Sequence, residues 1–320
     1  MLSQKGALKS LIFFEFQLLV KVHSPGLWHL LPGLRFLRPS RCGGKGTRPC
    51  GKLQRSQLLD AVSELATFGN HNCIVYMHTY VMFFKDNLCT KDHGVDATKP
   101  AKAGVKVLHK SATMRHALKA QEAGVDIIEI VGYEGSIAGG QPGDEVGAWV
   151  LLAKATSTLR VPVVAAGASG TGRQLAAALA MGAQGVTMAT RFLCTVEAPI
   201  DMKIKECMAR PEVDERQTTI VLGTLSNATR VFKNGVAEEI RQIERQGDVD
   251  FSQVMPLASG GRTKKMWQET GDTQDAMWSC SQSLGVISDI PTCKELLRRM
   301  VAEAEERLNH GAKCIINSKL

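Results

Sequence analysis

Short apolar runs alternate with amphipathic stretches through the middle of the chain. The Val-rich runs 161–165 and 186–188 are typical of strands that are buried on both faces. Between them, Leu175, Ala178 and Leu179 recur at helical spacing, which predicts a helix over 173–181. This stretch therefore predicts the order strand, loop, helix, strand.

The same alternation begins earlier in the chain. Residues 105–109 (VKVLH) and 126–131 (DIIEIV) have the composition of strands, and a helix should begin near Met114. A further helix is predicted over 145–157. The four strands and the intervening helices give the order β-α-β-α-β-α-β with short loops, which is typical of parallel α/β barrel units.

Two of the strand-end loops begin with small residues, 166–170 (AGASG) and 189–191 (ATR). In a parallel α/β fold both loops lie at the carboxyl ends of the strands, where ligands bind. Small side chains let the backbone approach a ligand closely, and backbone N–H groups near a helix start favour an anion. We interpret the loops as a phosphate cradle; the alternative is that they only permit tight turns.

The two earlier strand ends carry polar candidates. His109 and Lys110 stand at the end of the first strand, and a Lys there can stabilise a developing negative charge; the alternative is a surface Lys at the start of a loop. The second strand leads into the glycine-rich segment 132–143 (GYEGSIAGGQPG), which could cover a flat cofactor ring or could be a surface connection.

After residue 191 the pattern becomes mostly helical. Thr292 and Glu295 form a capping-box pattern at the start of a final helix. The other predictions for this part are a helix over 200–209, a β-like run over 218–222, a long helix over 227–245 and a loop at 260–263.

Positive charge is concentrated at the N-terminus. The net charge is +8, but residues 1–55 hold ten Lys or Arg and a single acidic residue, so the remainder is close to neutral and nothing there indicates nucleic-acid binding. Nine Cys without a C-x-x-C pair argue against a disulfide framework or a metal site and for a reducing, cytoplasmic location. The basic segment also has some features of a mitochondrial transit segment.

The N-terminal third has no clear periodicity apart from a helix predicted over 57–68. The apolar run 11–20 is too short to span a bilayer. We divide the chain into a basic extension (1–55), a divergent N-terminal barrel remnant (56–102), barrel strands with phosphate loops (103–195) and a mostly helical C-terminal region (196–320).

Several ordered blocks resemble the nitronate monooxygenase family, formerly called 2-nitropropane dioxygenases, and its relatives known as NADH:quinone reductases. The resemblance covers about residues 103–310 and rests on AGVKVLHKSATMRHALKAQEAGVD, GYEGSIAGGQPGDEVGAWVL, VPVVAAGASGTGRQLAAALAMGAQGVTMATRFLCTVEAPI, LSNATRVFKNGVAEEI and DAMWSCSQSLGVISDIPTCKELL. It implies an FMN-dependent (β/α)8 TIM-type barrel with a helical second domain, whose N-terminal half is divergent or incomplete in this chain.

The resemblance also implies site residues. Lys110 corresponds to a strand-end Lys near the flavin, and Gln282 lies where a family loop approaches the isoalloxazine ring. The remaining implied FMN contacts are Ala138 or Gly139 in the glycine-rich segment, Ala166, Gly167 and Ala168 in the first phosphate loop, and Ala189 and Thr190 in the second.

Three positions depart from the family pattern. Gln141 stands where the family usually has His, and Gln cannot act as a general base at neutral pH, although its amide N–H can orient a substrate oxygen. Ala168 and Ala189 replace glycines, so each adds a methyl group that can crowd a phosphate. The catalytic candidates are Lys110, which can stabilise negative charge, and Gln141, which can orient the substrate.

Three functions stay open from the sequence. The first is oxidation of an alkyl nitronate by FMN with reoxidation by O2. The second is NAD(P)H-dependent reduction of a quinone on the same flavin, although no G-x-G-x-x-G motif supports nucleotide binding independently. The third is a non-catalytic or truncated remnant without flavin. The predicted partners are small molecules rather than nucleic acid or membrane, and the oligomeric state is open.

Overall fold

The structure is a computed structural model that describes residues 14–22, 73–81, 108–135, 145–225, 227–247 and 249–314. The helix predicted for 57–68 and most of the two N-terminal divisions lie outside these residues. The proposed domain boundaries therefore stay predictions.

Six strands form one sheet in the order β2-β1-β6-β5-β4-β3. The strands β3, β4, β5 and β6 are parallel neighbours, whereas β1 runs antiparallel to both β2 and β6. Their bounds are β1 Phe14–Val22, β2 Cys73–Val81, β3 Leu108–Ser111, β4 Ile127–Val131, β5 Val163–Ala166 and β6 Val186–Met188.

Helices connect the parallel strands as predicted. They are α1 (Met114–Glu122), α2 (Ala148–Thr158) and α3 (Gly172–Ala180). Side-chain caps fix where α1 and α3 begin, since Thr113 accepts from the N–H of His116 and Thr171 forms a capping box with Gln174. The predicted β-α-β-α-β-α-β order is confirmed, and the fold is α/β with four strands of the TIM-barrel kind.

The long helix predicted over 227–245 is wrong. Residues Thr229–Phe232 form a strand, β8, which pairs antiparallel with β7 (Thr218–Val221). The helix that follows, α6, covers only Gly235–Arg245. The Asn234 side chain accepts from the N–H of Ala237 and so sets the helix start. The apolar spacing fits both assignments, and pairing with β7 decides between them.

The loop predicted at 260–263 is also wrong, because Gly260–Lys265 forms a short helix, α8, with Ser259 at its N-cap. The other α-helices are α4 (Thr190–Leu193), α5 (Met202–Met208), α7 (Phe251–Val254) and the final helix α9 (Cys293–Lys313). A π-helix (Met266–Thr270) continues α8, and two 3-10 helices cover Glu215–Gln217 and Gln282–Val286. Within the described part of the chain, no helix has the length and apolarity that crossing a membrane requires.

The final helix closes the core beneath the parallel strands. The predicted capping box is present, with the Thr292 side chain accepting from the N–H of Glu295. Leu296, Met300 and Ala304 are buried in one hydrophobic cluster with Ile128 of β4 and with residues of α1, α2 and α3. The C-terminal helix thus supports the strands whose ends carry the predicted site.

Candidate functional site

A small cavity lies at the carboxyl ends of the four parallel strands, as expected for this topology. Its volume is about 30 Å³. The strand ends and the loops that follow them supply its lining: Lys110, Glu129, Val131, Gly135, Ala166, Gly167, Ala168, Ser169, Thr187, Met188, Ala189, Thr190 and Ser281. Six of the predicted site residues therefore meet in one place.

The loop after β5 has an unusual backbone. Gly167 has a φ of +100°, and a Cβ there would lie 2.8 Å from the backbone N of Gly132, so only glycine fits. Ala168 follows with a φ of +55°. The N–H groups of Ala168 and Ser169 find no acceptor among the described residues, which leaves them available to an anion.

Most N–H groups at the start of α3 already have side-chain acceptors, which leaves this helix start less suited to a phosphate than the loop before it. The Gln174 side-chain oxygen accepts from the N–H groups of Gly170 (2.8 Å) and Thr171 (3.2 Å). The Glu303 carboxylate of α9 accepts from the N–H of Gly172 at 2.9 Å. An acid already sits at this helix start, so an added phosphate would be repelled there.

Hydroxyl groups surround the loop after β6. The Thr190 hydroxyl oxygen accepts from the Ser281 N–H at 2.9 Å and lies 3.1 Å from the Ser281 hydroxyl, which is 2.6 Å from the Ser283 hydroxyl. Ala189 has an ordinary φ of −110°. Arg191 turns away from the cavity and donates to both the carbonyl and the carboxylate of Asp289, at 3.0 Å each.

Lys110, the cation predicted at a strand end, lines the cavity and forms an ion pair with Glu129. The Nζ atom of Lys110 lies 3.6 Å from Oε1 of Glu129. The Glu129 side chain is 2% exposed and the Lys110 side chain is 22% exposed. A paired ammonium group therefore lies at the cavity wall.

Gln282 lies beside this cavity and not in its lining. Its N–H donates to the carbonyl of Glu134 at 3.0 Å. The Glu134 carboxylate in turn accepts from the N–H of Ala148, at 2.8 Å and 3.1 Å, at the start of α2. Ala138, Gly139 and Gln141 lie outside the described residues, so their predicted roles stay predictions.

The buried side of the cavity includes residues that the sequence analysis did not single out. Glu129 interrupts the apolar run of β4, and a charge inside a buried strand was a signal that could have found it. Ser281 carried no such signal, because it reaches the cavity only through the packing of the C-terminal region, where its hydroxyl also contacts that of Ser283.

The parallel strand–helix units and a cavity at their carboxyl ends define an α/β protein of the TIM-barrel kind. The chain belongs to the nitronate monooxygenase family, whose family model matches residues 84–303. Membership in this family supports an oxidoreductase role.

Two relatives are each similar in sequence over 65% of this chain. A "(3aS,4S,5R,7aS)-5-hydroxy-7a-methyl-1-oxo-octahydro-1H-indene-4-carboxyl-CoA dehydrogenase" from Rhodococcus jostii (strain RHA1) is 30% identical over 244 residues, which cover 65% of this chain and 67% of the relative. A probable nitronate monooxygenase from Bacillus subtilis (strain 168) is 31% identical over 218 residues, or 65% of this chain and 60% of the relative.

Among solved structures, FabK from Thermotoga maritima is similar with a TM-score of 0.61 and 28% identity, covering 68% of this chain and 67% of FabK. A nitroalkane oxidase from Streptomyces ansochromogenes has the same fold, with a TM-score of 0.55 and 24% identity. The match covers 66% of this chain and 60% of the oxidase. The matched part of the chain thus spans 60% to 67% of the length of these relatives.

Proposed function

We propose that this chain is an FMN-dependent oxidoreductase that oxidises alkyl nitronates with O2. The observation that carries the proposal is the cavity in which the two small-residue loops meet beside the Lys110 ammonium group. Family membership supports the same chemistry.

The described residues fit the phosphate end of FMN. The N–H groups of Ala168 and Ser169, together with the Thr190 hydroxyl, offer hydrogen bonds from loops of small residues. Ala166 and Gly167 line the cavity with little side-chain bulk. The start of α3 is less suited to the phosphate, because Gln174 and Glu303 engage most of its N–H groups and Glu303 is itself an acid.

The chemistry that FMN supplies when bound is acceptance of two electrons from the nitronate, followed by transfer to O2. The Lys110 ammonium supplies positive charge at the cavity wall, where it can stabilise negative charge that develops during the reaction. Gln141 is proposed to orient a substrate oxygen through its amide N–H. Gln282 is proposed to lie near the ring.

Because residue 141 is Gln and not a general base, the protonation state of the substrate decides whether it can react. A neutral nitroalkane must lose a proton before oxidation, and Gln cannot accept it at neutral pH. An alkyl nitronate is already deprotonated, so the reaction needs no such base. We therefore propose the nitronate, not the nitroalkane, as substrate.

Oxygen uptake by the purified, FMN-loaded chain tests this proposal. We expect uptake with ethylnitronate and at least about 100-fold less with nitroethane, and Gln141→His should raise nitroethane turnover by about 100-fold, the usual contribution of a general base. Lys110→Met is the companion variant and should slow turnover with both substrates.

Two outcomes would point to the other candidates. Reduction by NAD(P)H with turnover of a quinone and none of ethylnitronate would replace the proposal with quinone reduction on the same flavin. A folded chain that binds no flavin would identify a non-catalytic relative of the family.

A further inference from the structure

Glu129 is a carboxylate placed inside an otherwise apolar strand. It lies in the middle of β4 between Ile128 and Ile130, and its side chain is 2% exposed. Side chains alternate between the two faces of a strand, so Glu129 and Val131 share the face that lines the cavity. The carboxylate therefore belongs to the wall of the candidate site.

Strand pairing brings this carboxylate to Lys110. Lys110 of β3 and Glu129 of β4 are direct partners in the parallel register, and both line the cavity. Neighbouring strands lie about 4.8 Å apart, which places side chains on the same face within reach of each other. The Nζ to Oε1 distance of 3.6 Å is the result.

The two partners differ in their access to water. A carboxylate as deeply buried as that of Glu129 is costly to desolvate and is tolerated because an opposite charge lies close. Lys110, at 22% exposure, lies nearer the mouth of the cavity and has a long, flexible side chain. Glu129 thus fixes the position of the Lys110 ammonium group.

We propose that Glu129 is a positioning residue that holds the Lys110 ammonium at the cavity wall and offsets its charge, which sets the midpoint potential of the flavin bound there. The inference rests on the proposed function. Neutralising Glu129 leaves the site with one additional net positive charge, and a positive charge favours the reduced, more negatively charged form of a flavin.

The first test measures the midpoint potential of the FMN-loaded full chain and of three variants. Glu129→Gln should favour the reduced flavin about tenfold, which is about 30 mV upward for a two-electron couple, and Lys110→Met should shift the potential downward. Glu122→Gln is the matched control, since Glu122 is exposed at the end of α1, and it should leave the potential unchanged.

The second test needs no flavin and follows unfolding of the ligand-free chain by denaturant. Lys110→Met removes the counter-charge of a buried carboxylate, so it should raise the unfolding equilibrium constant at least about tenfold. Adding Glu129→Gln to that variant should recover most of the loss, although the same substitution alone should not stabilise the chain.

The outcomes separate the two levels of the argument. A chain that folds and binds no flavin overturns the proposed function and this inference together. A flavin-loaded Glu129→Gln variant whose potential is unchanged or lower overturns the inference alone. Additive effects of the two substitutions on unfolding would equally overturn it, because they would show that the pair does not interact.

Discussion

Ala168→Gly should stabilise the chain, although most changes to glycine destabilise a protein. Ala168 has a φ of +55°, in the left-handed region, where a Cβ costs about 1–2 kcal/mol and glycine costs nothing. Glycine also gives the unfolded chain more freedom, which costs about 0.4–1 kcal/mol. The methyl group is half-buried, so its loss subtracts little more. We expect a net gain of about 0.5 kcal/mol in the free energy of unfolding.

The matched control is Ala189→Gly in the neighbouring loop. Ala189 is also half-buried, but its φ of −110° is ordinary, so glycine relieves no strain there. This variant should lose about 0.4–1 kcal/mol. Denaturant unfolding of both ligand-free variants measures the contrast directly. Equal destabilisation by the two substitutions would refute the assignment of strain to residue 168.

Three further predictions follow from the electrostatics and burial of the described residues. A hydrogen bond from Arg299 of α9 holds the pKa of Asp289 below its usual value. The ionised Asp289 therefore stabilises the fold above the pKa of the unfolded state, and this stabilisation is lost as the pH falls through the lowered pKa of the folded state. Asp289→Asn should cost about 1 kcal/mol of unfolding free energy at pH 7, since the partly exposed carboxylate also pairs with the buried Arg191, and the cost should shrink as the pH falls below about 4. Arg230→Met should cost about 2 kcal/mol in denaturant unfolding, since the buried guanidinium donates to the carbonyl of Tyr133 at 3.0 Å. Burial raises the pKa of Cys194 to about 11, so thiol labelling at pH 8, followed by mass spectrometry, should modify the exposed Cys314 well before Cys194.

The alternation of apolar runs and amphipathic helices was sufficient to predict the parallel strands, because each element there obeys its own period. Buried strands such as Val163–Ala166 are continuously apolar, and α3 has apolar residues on one face. The cavity at the strand ends followed from topology alone. The error at 227–234 arose where one spacing fits either a helix or a strand, and only pairing with β7 resolves it.

Two features of the site depend on contacts between distant residues. Glu303 lies 131 positions from Gly172, so the occupied helix start of α3 was not readable from the loop itself. The left-handed backbone at Ala168 was likewise hidden, because alanine is normally evidence for an ordinary φ. The Lys110–Glu129 pair was closer to prediction, since Glu129 lies on a predicted strand and Lys110 directly follows another, and the structure pairs them in register.

Whether this chain binds FMN is measured by the visible absorption spectrum of the purified full-length chain, with identification of any flavin released on denaturation. We expect a flavin spectrum with about one FMN per chain, because the two small-residue loops and Lys110 line one cavity and are proposed to hold the flavin. A folded, colourless protein that takes up no FMN on reconstitution would contradict it.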